Sequence, residues 1–246
     1  MKRRLFIATS LSAALAGCSA IGTKLNENSG FHNVLEGAEA VNAHLIGTHG
    51  RVREYSARDI SSDFPVNSLD TPGSSAYMRL IADRFSSYRL TVDGAVEHPQ
   101  QFTLAQLRHL MNVSQITRHD CVEGWSAIAQ WQGVRLADVL ATARPRREAR
   151  YVVFHTFDVD ANDTPYYESL SMEQAAHPQT VLALLQNGKP ITAERGAPVR
   201  LTVPTQLGYK SAKWVARIEV TGALKKLYGG RGGYWEDQGY EWYAGI

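Results

Sequence analysis

The chain has 246 residues, 44% of them hydrophobic and 20% charged, which is enough to bury a full core. Its 26 lysines and arginines against 24 aspartates and glutamates leave a formal charge of +2. Residues 1–17 hold three of the bases (Lys2, Arg3 and Arg4) and no acid, so the remainder sets 23 bases against 24 acids. A balance of that kind gives no reason to expect a nucleic-acid partner.

Met1 to Ala16 reads as an export signal, with a basic start and an apolar run from Leu5 that is too short to span a bilayer. Arg3-Arg4-Leu5-Phe6-Ile7 looks like a twin-arginine address, used by proteins exported already folded. Leu15-Ala16-Gly17-Cys18 looks like a lipobox that leaves Cys18 as a lipid-bearing N-terminus. The expected place is therefore the periplasm, anchored by lipid to the cell-envelope membrane. Residues 18–63 are polar and without period, and read as a tether followed by an arm wrapped on the domain surface. Arg51, Arg53 and Arg58 within it are read as solvated charge. Residues 64–246 form the folded domain.

Tyr88 to Gly94 alternates and ends in Asp-Gly, so it predicts a strand running into a turn. Thr103 is placed to cap a short helix that reaches Leu110. Val113 to Thr117 predicts a strand that delivers Cys121 at its exit, and Leu136-Ala-Asp-Val-Leu140 is helix-like. Tyr151 to Phe154 is a continuous apolar run, expected of a central strand. Tyr166-Tyr167-Glu168 reads as a strand face, or as the approach to a site. Ser171-x-x-Gln174 resembles a capping box opening a helix that ends before Pro178. Val181 to Gln186 followed by Asn187-Gly188 predicts a strand and a hairpin turn, and Val199–Val203 and Trp214–Val220 predict two more strands. Short strands mixed with short helices indicate an α+β fold with mixed sheets. The stretch from Gly229 to Ile246, rich in glycine and aromatics, is read as an arm packed on the domain, or as a lid or an electron-partner surface.

Beyond Cys18 the chain has one cysteine, Cys121, in Asp120-Cys121-Val122-Glu123-Gly124-Trp125-Ser126. Such a thiol is a buried filler, a reactive group or a metal ligand. Trp125 and Trp131 are placed to wall a pocket. Asp120 and Glu123 call for partners, an arginine such as Arg118 or backbone amides. His119 and His155 are either satisfied structural histidines or donors facing a substrate.

Cys-Val-Glu-Gly-Trp-Ser, then Trp131-x-Gly133 and the helix after it, resembles the molybdopterin domain of the sulfite oxidase family. Within that family it is most similar to the exported bacterial branch, which includes the catalytic subunit of a periplasmic methionine sulfoxide reductase. The resemblance implies a mixed-sheet sulfite-oxidase-type fold over 64–246, a molybdenum–molybdopterin cofactor, and Cys121 as catalytic metal ligand; a soft thiolate suits such a metal. It assigns cofactor contacts to Thr156, to Arg200 in Gly196-Ala-Pro-Val-Arg200, and to Ser211, Ala212 and Lys213. Asn67, after Phe64-Pro-Val, is a further candidate. Arg195 departs from the pattern, since relatives carry asparagine there. The implied function is oxygen-atom transfer on a small oxo-donor or oxo-acceptor, of the sulfoxide-reductase or sulfite-oxidase kind, with electrons exchanged with a separate haem or quinone-linked membrane partner. A monomer is expected. Two other readings remain: a cysteine-nucleophile enzyme with His119 or His155 as base, and a binding lipoprotein without catalysis.

Overall fold

Alternation along the strands sets most of the architecture. The computed structural model describes residues 50–66 and 71–246; the stretches expected to be the export signal and most of the tether, Cys18 and Asn67 lie outside them. Ten strands occur among the described residues: β1 (Arg89–Gly94), β2 (Gln100–Thr103), β3 (Val113–Asp120), β4 (Ser126–Arg135), β5 (Tyr151–Val159), β6 (Pro165–Ser171), β7 (Val181–Gln186), β8 (Lys189–Pro190), β9 (Arg200–Thr202) and β10 (Val215–Thr221). Five helices join them: α1 (Ser75–Ala82), α2 (Leu104–His109), α3 (Leu136–Ala143), α4 (Met172–Ala176) and α5 (Tyr234–Asp237). One sheet has the order β2-β1-β10-β5-β6, and the other runs β3-β4-β7-β8 with β9 also paired to β7. The β1–β10 pair is parallel while its neighbours are antiparallel, so the first sheet is mixed, as expected of this α+β chain.

Burial follows the side-chain period. On β1, Leu90 and Val92 point inward, whereas β5 buries Val152, Val153 and Phe154 in succession because both its faces are covered. Leu90, Val92, Val152 and Phe154 share one core with Val134 of β4, Leu182 and Leu184 of β7 and Val139 and Leu140 of α3, which ties the two sheets together. The helix starts are fixed by side chains. Thr103 Oγ1 accepts from the Gln106 amide at 3.1 Å, and Ser171 Oγ accepts from the Gln174 amide at 3.1 Å, each answered by the glutamine reaching back.

Two features depart from the expected pattern. β4 is a ten-residue strand whose buried face is Ala127, Ala129, Trp131 and Gly133; alanine and glycine are weak strand formers, and packing decides there. On β3 the buried face is polar, with Gln115, Thr117 and His119 turned inward. The arm lies along these strands: the Tyr55 amide donates to Ile116 O at 2.9 Å and the Ser61 amide to Ile128 O at 3.0 Å. It brings Phe64 into a second, smaller core around Trp131, Ala129 and Ile191. No helix among the described residues is long and apolar enough to cross a membrane.

Candidate functional site

β3 and β4 are joined by a tight turn that carries Cys121. The Cys121 amide donates to Trp125 O at 2.9 Å and the Gly124 amide to Cys121 O at 3.0 Å, with Gly124 at φ +90°. Cys121 is buried at 8% exposure and opens onto a pocket of about 200 Å³. Around the pocket, β9 supplies Arg200, the turn after it Gly208, Ser211 and Lys213, the end of β5 Asp158 and Asp160, and α5 Tyr234 and Trp235. Sheet pairing therefore brings together residues separated by more than a hundred positions.

Arg200 is the most unusual of them. Its side chain is buried at 2% exposure, its guanidinium lies 5.2 Å from the Trp131 ring and 5.9 Å from Phe64, and Nη1 donates to Arg195 O at 3.2 Å. Its Nε has no partner. Burial, then the nearby Arg195, pull its pKa down to about 10, so it remains a cation in want of an anion. Burial likewise raises the Asp158 carboxyl, with Lys213 opposing the shift, and Asp158 Oδ1 is also without a partner. The Cys121 thiol is pushed up chiefly by burial, with the backbone at Glu123 and the Arg200 charge opposing. His119 sits behind Gly208, where a methyl group would come within 2.5 Å of its Nε2. Burial and Arg200 lower its pKa to about 3, so it is a neutral imidazole.

The expected site residues fall into two groups. Cys121, Arg200, Ser211 and Lys213 line the pocket. Thr156 and Ala212 stand behind it: Thr156 Oγ1 donates to Tyr166 O at 2.8 Å and accepts from the Asp158 amide at 3.2 Å, and buried Ala212 accepts from the Leu201 amide at 2.9 Å. Lys213 Nζ donates to Glu194 O at 3.2 Å and lies 4.1 Å from the Trp214 ring, and the Ser211 hydroxyl accepts from the Val203 amide at 3.0 Å. Arg195 does not point to water; it donates to Phe64 O and lies over that ring.

Some expectations need correction. Trp125 and Trp131 do not wall the pocket, because Phe64 inserts edge-on against both and turns Trp131 into a floor for Arg200. The pocket's indoles are Trp214 and Trp235. His155 lies away from it, 2.9 Å from Glu219 and 3.2 Å from the Tyr228 hydroxyl. Asp120 does pair with Arg118 at 2.9 Å, and it also accepts from Ser126. Glu123 takes the Trp125 indole N–H at 2.9 Å instead of an arginine or backbone amides. Asp158 and Asp160 carry no local signal and were not expected here; only the tertiary fold brings them to the pocket that Cys121 lines.

With a protonated thiol and a neutral, buried His119 whose Nε2 is unpaired, the arrangement lacks an activated cysteine nucleophile. Among the described residues no three His, Cys, Asp or Glu side chains converge as a metal cage, so a metal at Cys121 needs a ligand that brings its own donors. The orphaned Arg200 Nε and Asp158 Oδ1 fit a ligand that is anionic at one end and rich in hydrogen-bonding edges at the other.

Residues 78–228 match the family described as "Oxidoreductase molybdopterin binding domain". A protein of Azospira oryzae, provisionally named as the protein-methionine-sulfoxide reductase subunit YedZ1, is 35% identical over 252 aligned positions, 99% of this chain and 87% of that one. The protein-methionine-sulfoxide reductase catalytic subunit MsrP of Campylobacter jejuni is 34% identical over 57% of this chain and 52% of its own length. Its counterpart from Xanthomonas axonopodis pv. citri is 36% identical over 55% and 45%. The match thus spans about half the length of these two catalytic subunits. The structure of the sulfane dehydrogenase SoxCD from Paracoccus pantotrophus superposes with a TM-score of 0.50 and 26% identity, covering 56% of this chain and 39% of that one.

Proposed function

Because the chain belongs to the oxidoreductase molybdopterin binding domain family, and is thus a molybdenum–molybdopterin oxidoreductase, we propose that it reduces sulfoxides at the pocket under Cys121. The observation that carries the placement is Arg200, a buried guanidinium with an orphaned donor beside the thiol. The sulfoxide class is supported by the names of the relatives, two catalytic subunits and one subunit of protein-methionine-sulfoxide reductases.

Bound in the pocket, the cofactor supplies the redox chemistry by which an oxygen atom leaves the sulfoxide. Cys121 serves as the protein's metal ligand and loses its proton on binding, since a coordinating thiol is deprotonated by the metal. Arg200 and Lys213 hold the anionic end, while Ser211 and the backbone at Ala212 take part of the ring edge. Asp158 adds a carboxyl to that edge, and Thr156 keeps Asp158 and Tyr166 in place. Asn67 retains its assignment from the sequence as a further contact. The rings of Tyr166, Tyr234 and Trp235 exclude water from the pocket.

The twin arginines and lipobox support a periplasmic, lipid-anchored enzyme. The word "subunit" in the relatives' names supports a separate partner; that this partner is a haem- or quinone-linked electron carrier of the membrane is what the family resemblance implies. The test is isolation from cells that make molybdenum cofactor, metal analysis, and assays with a reduced dye. About one molybdenum per chain and dye oxidation on adding methionine sulfoxide are expected. Absence of molybdenum, or turnover of sulfite alone, would overturn the proposal.

A further inference from the structure

A cluster outside the proposed chemistry lies behind the pocket wall. Lys210, at 0% exposure, contacts Glu168 Oε1 and Glu236 Oε1, both at 2.5 Å. Two buried carboxylates thus share one ammonium, and the Oε2 atom of each is left without a partner. One proton between the carboxyls turns two orphaned acceptors into a donor and an acceptor, and brings the cluster to zero net charge.

Glu236 belongs to α5, in the strap that leaves β10 and returns to the body through Ala244 and Ile246, whose backbones bond to Leu207 and Thr205. The strap holds the edge strand β6 on either side of Glu168. Tyr167 donates to Asp237 Oδ2 at 2.6 Å, and Ser169 donates to Gly232 O while accepting from the Trp242 indole at 2.8 Å, while Glu168 is joined to Glu236 of the strap through Lys210 on the turn. Gly229, Gly230, Gly232 and Gly233 precede α5 and Gly239 follows it, so the backbone on either side turns easily. The same short helix sends Tyr234 and Trp235 into the pocket wall, with the Tyr234 hydroxyl on Asp160 at 3.0 Å.

We infer that Glu168, Lys210 and Glu236 form a proton-dependent lock on this strap, so that loss of the shared proton frees Tyr234 and Trp235 and widens the pocket. The groups facing the lock are Lys210 on the turn, Glu236 and Asp237 on the strap, and Tyr166 and Tyr167 beside Glu168 on its own strand. Burial first, and Glu236 next, hold the Glu168 carboxyl well above the ordinary range against the opposing pull of Lys210. An acid raised in the closed state stabilises that state below its ordinary pKa and stops doing so as pH rises through the raised value. The strap is therefore closed in acid and loosens as pH rises through that raised value.

Hydrogen–deuterium exchange of the full chain, with or without metal, reads this directly. After correction for intrinsic chemistry, amide protection in residues 229–240 should fall about tenfold or more from acid to alkaline solution, while β5 and β7 keep theirs. Glu168→Gln imitates the protonated carboxyl, so it should retain protection across the range. Wild-type protection that does not change with pH would overturn the lock, as would a Glu168→Gln variant that loosens with pH as the wild type does. The outcome does not depend on the substrate, so it is separate from the proposed reaction.

Discussion

Arg200 makes a prediction with two opposite signs. Among protein groups its buried charge has one carbonyl partner and two aromatic faces, and replacing an underpaired buried ion by an apolar side chain is often neutral or stabilising. Arg200→Met should therefore leave the melting temperature of the cofactor-free protein unchanged or higher. The same variant should retain molybdopterin about 10- to 100-fold less well, since a charge-assisted contact is worth about 1.5–3 kcal/mol. A variant that loses stability without cofactor and binds it normally would contradict the role given to Arg200. This residue, Cys121, Ser211 and Lys213 were legible because motifs fix them at characteristic spacings. Asp158 was not legible, for its carboxyl is remarkable only once burial has stripped it of water and partners. Trp131 misled for the converse reason: an indole near a functional cysteine suggests a wall, but Phe64 arrives from the arm and covers it.

The β3–β4 hairpin shows how much backbone geometry the site demands of its elements. At Gly124 the positive φ is the whole constraint, as a methyl group would meet nothing within 4 Å. Gly124→Ala should cost about 1 kcal/mol in urea unfolding. At Gly133 a methyl group would lie 2.0 Å from Leu182 O, at the point where the β4–β7 register shifts. Gly133→Ala should cost about 3 kcal/mol or more, because two packed strands must part. Equal costs at the two positions would show that the close approach of β4 to β7 is not what requires the second glycine. Most strands could be read from alternation, apolar runs and turn signals, and the Ser171–Gln174 capping box from its spacing, whereas at Thr103 only the cap was read and the structure adds Gln106 to complete a second box. β4 could not, since its inward face is alanine and glycine around one tryptophan, and α1 has no distinctive start signal beyond a serine run. The C-terminal strap was open between arm and lid; the structure makes it both a cover for the edge strand and part of the pocket wall.

At the scale of the whole molecule, the proposed export and the chemistry are linked by order of events. A twin-arginine route carries folded proteins, which would suit a chain that encloses its cofactor before export. Replacing Arg3 and Arg4 together by lysine should leave folded, metal-loaded precursor in the cytoplasm, as cell fractionation would show. Mass spectrometry of native protein should find Cys18 as a lipid-modified N-terminus, whereas an unmodified Cys18 would refute the anchor. The central claim is that Cys121 holds the metal of a cofactor seated against Arg200, and X-ray absorption at the molybdenum edge tests it most directly. If the cofactor brings its own sulfur donors and the Cys121 thiolate adds one more, Cys121→Ser should lower the sulfur coordination number by about one while molybdenum remains bound. An identical sulfur shell in wild type and variant would mean that Cys121 does not ligate the metal, and the account of the site would fail.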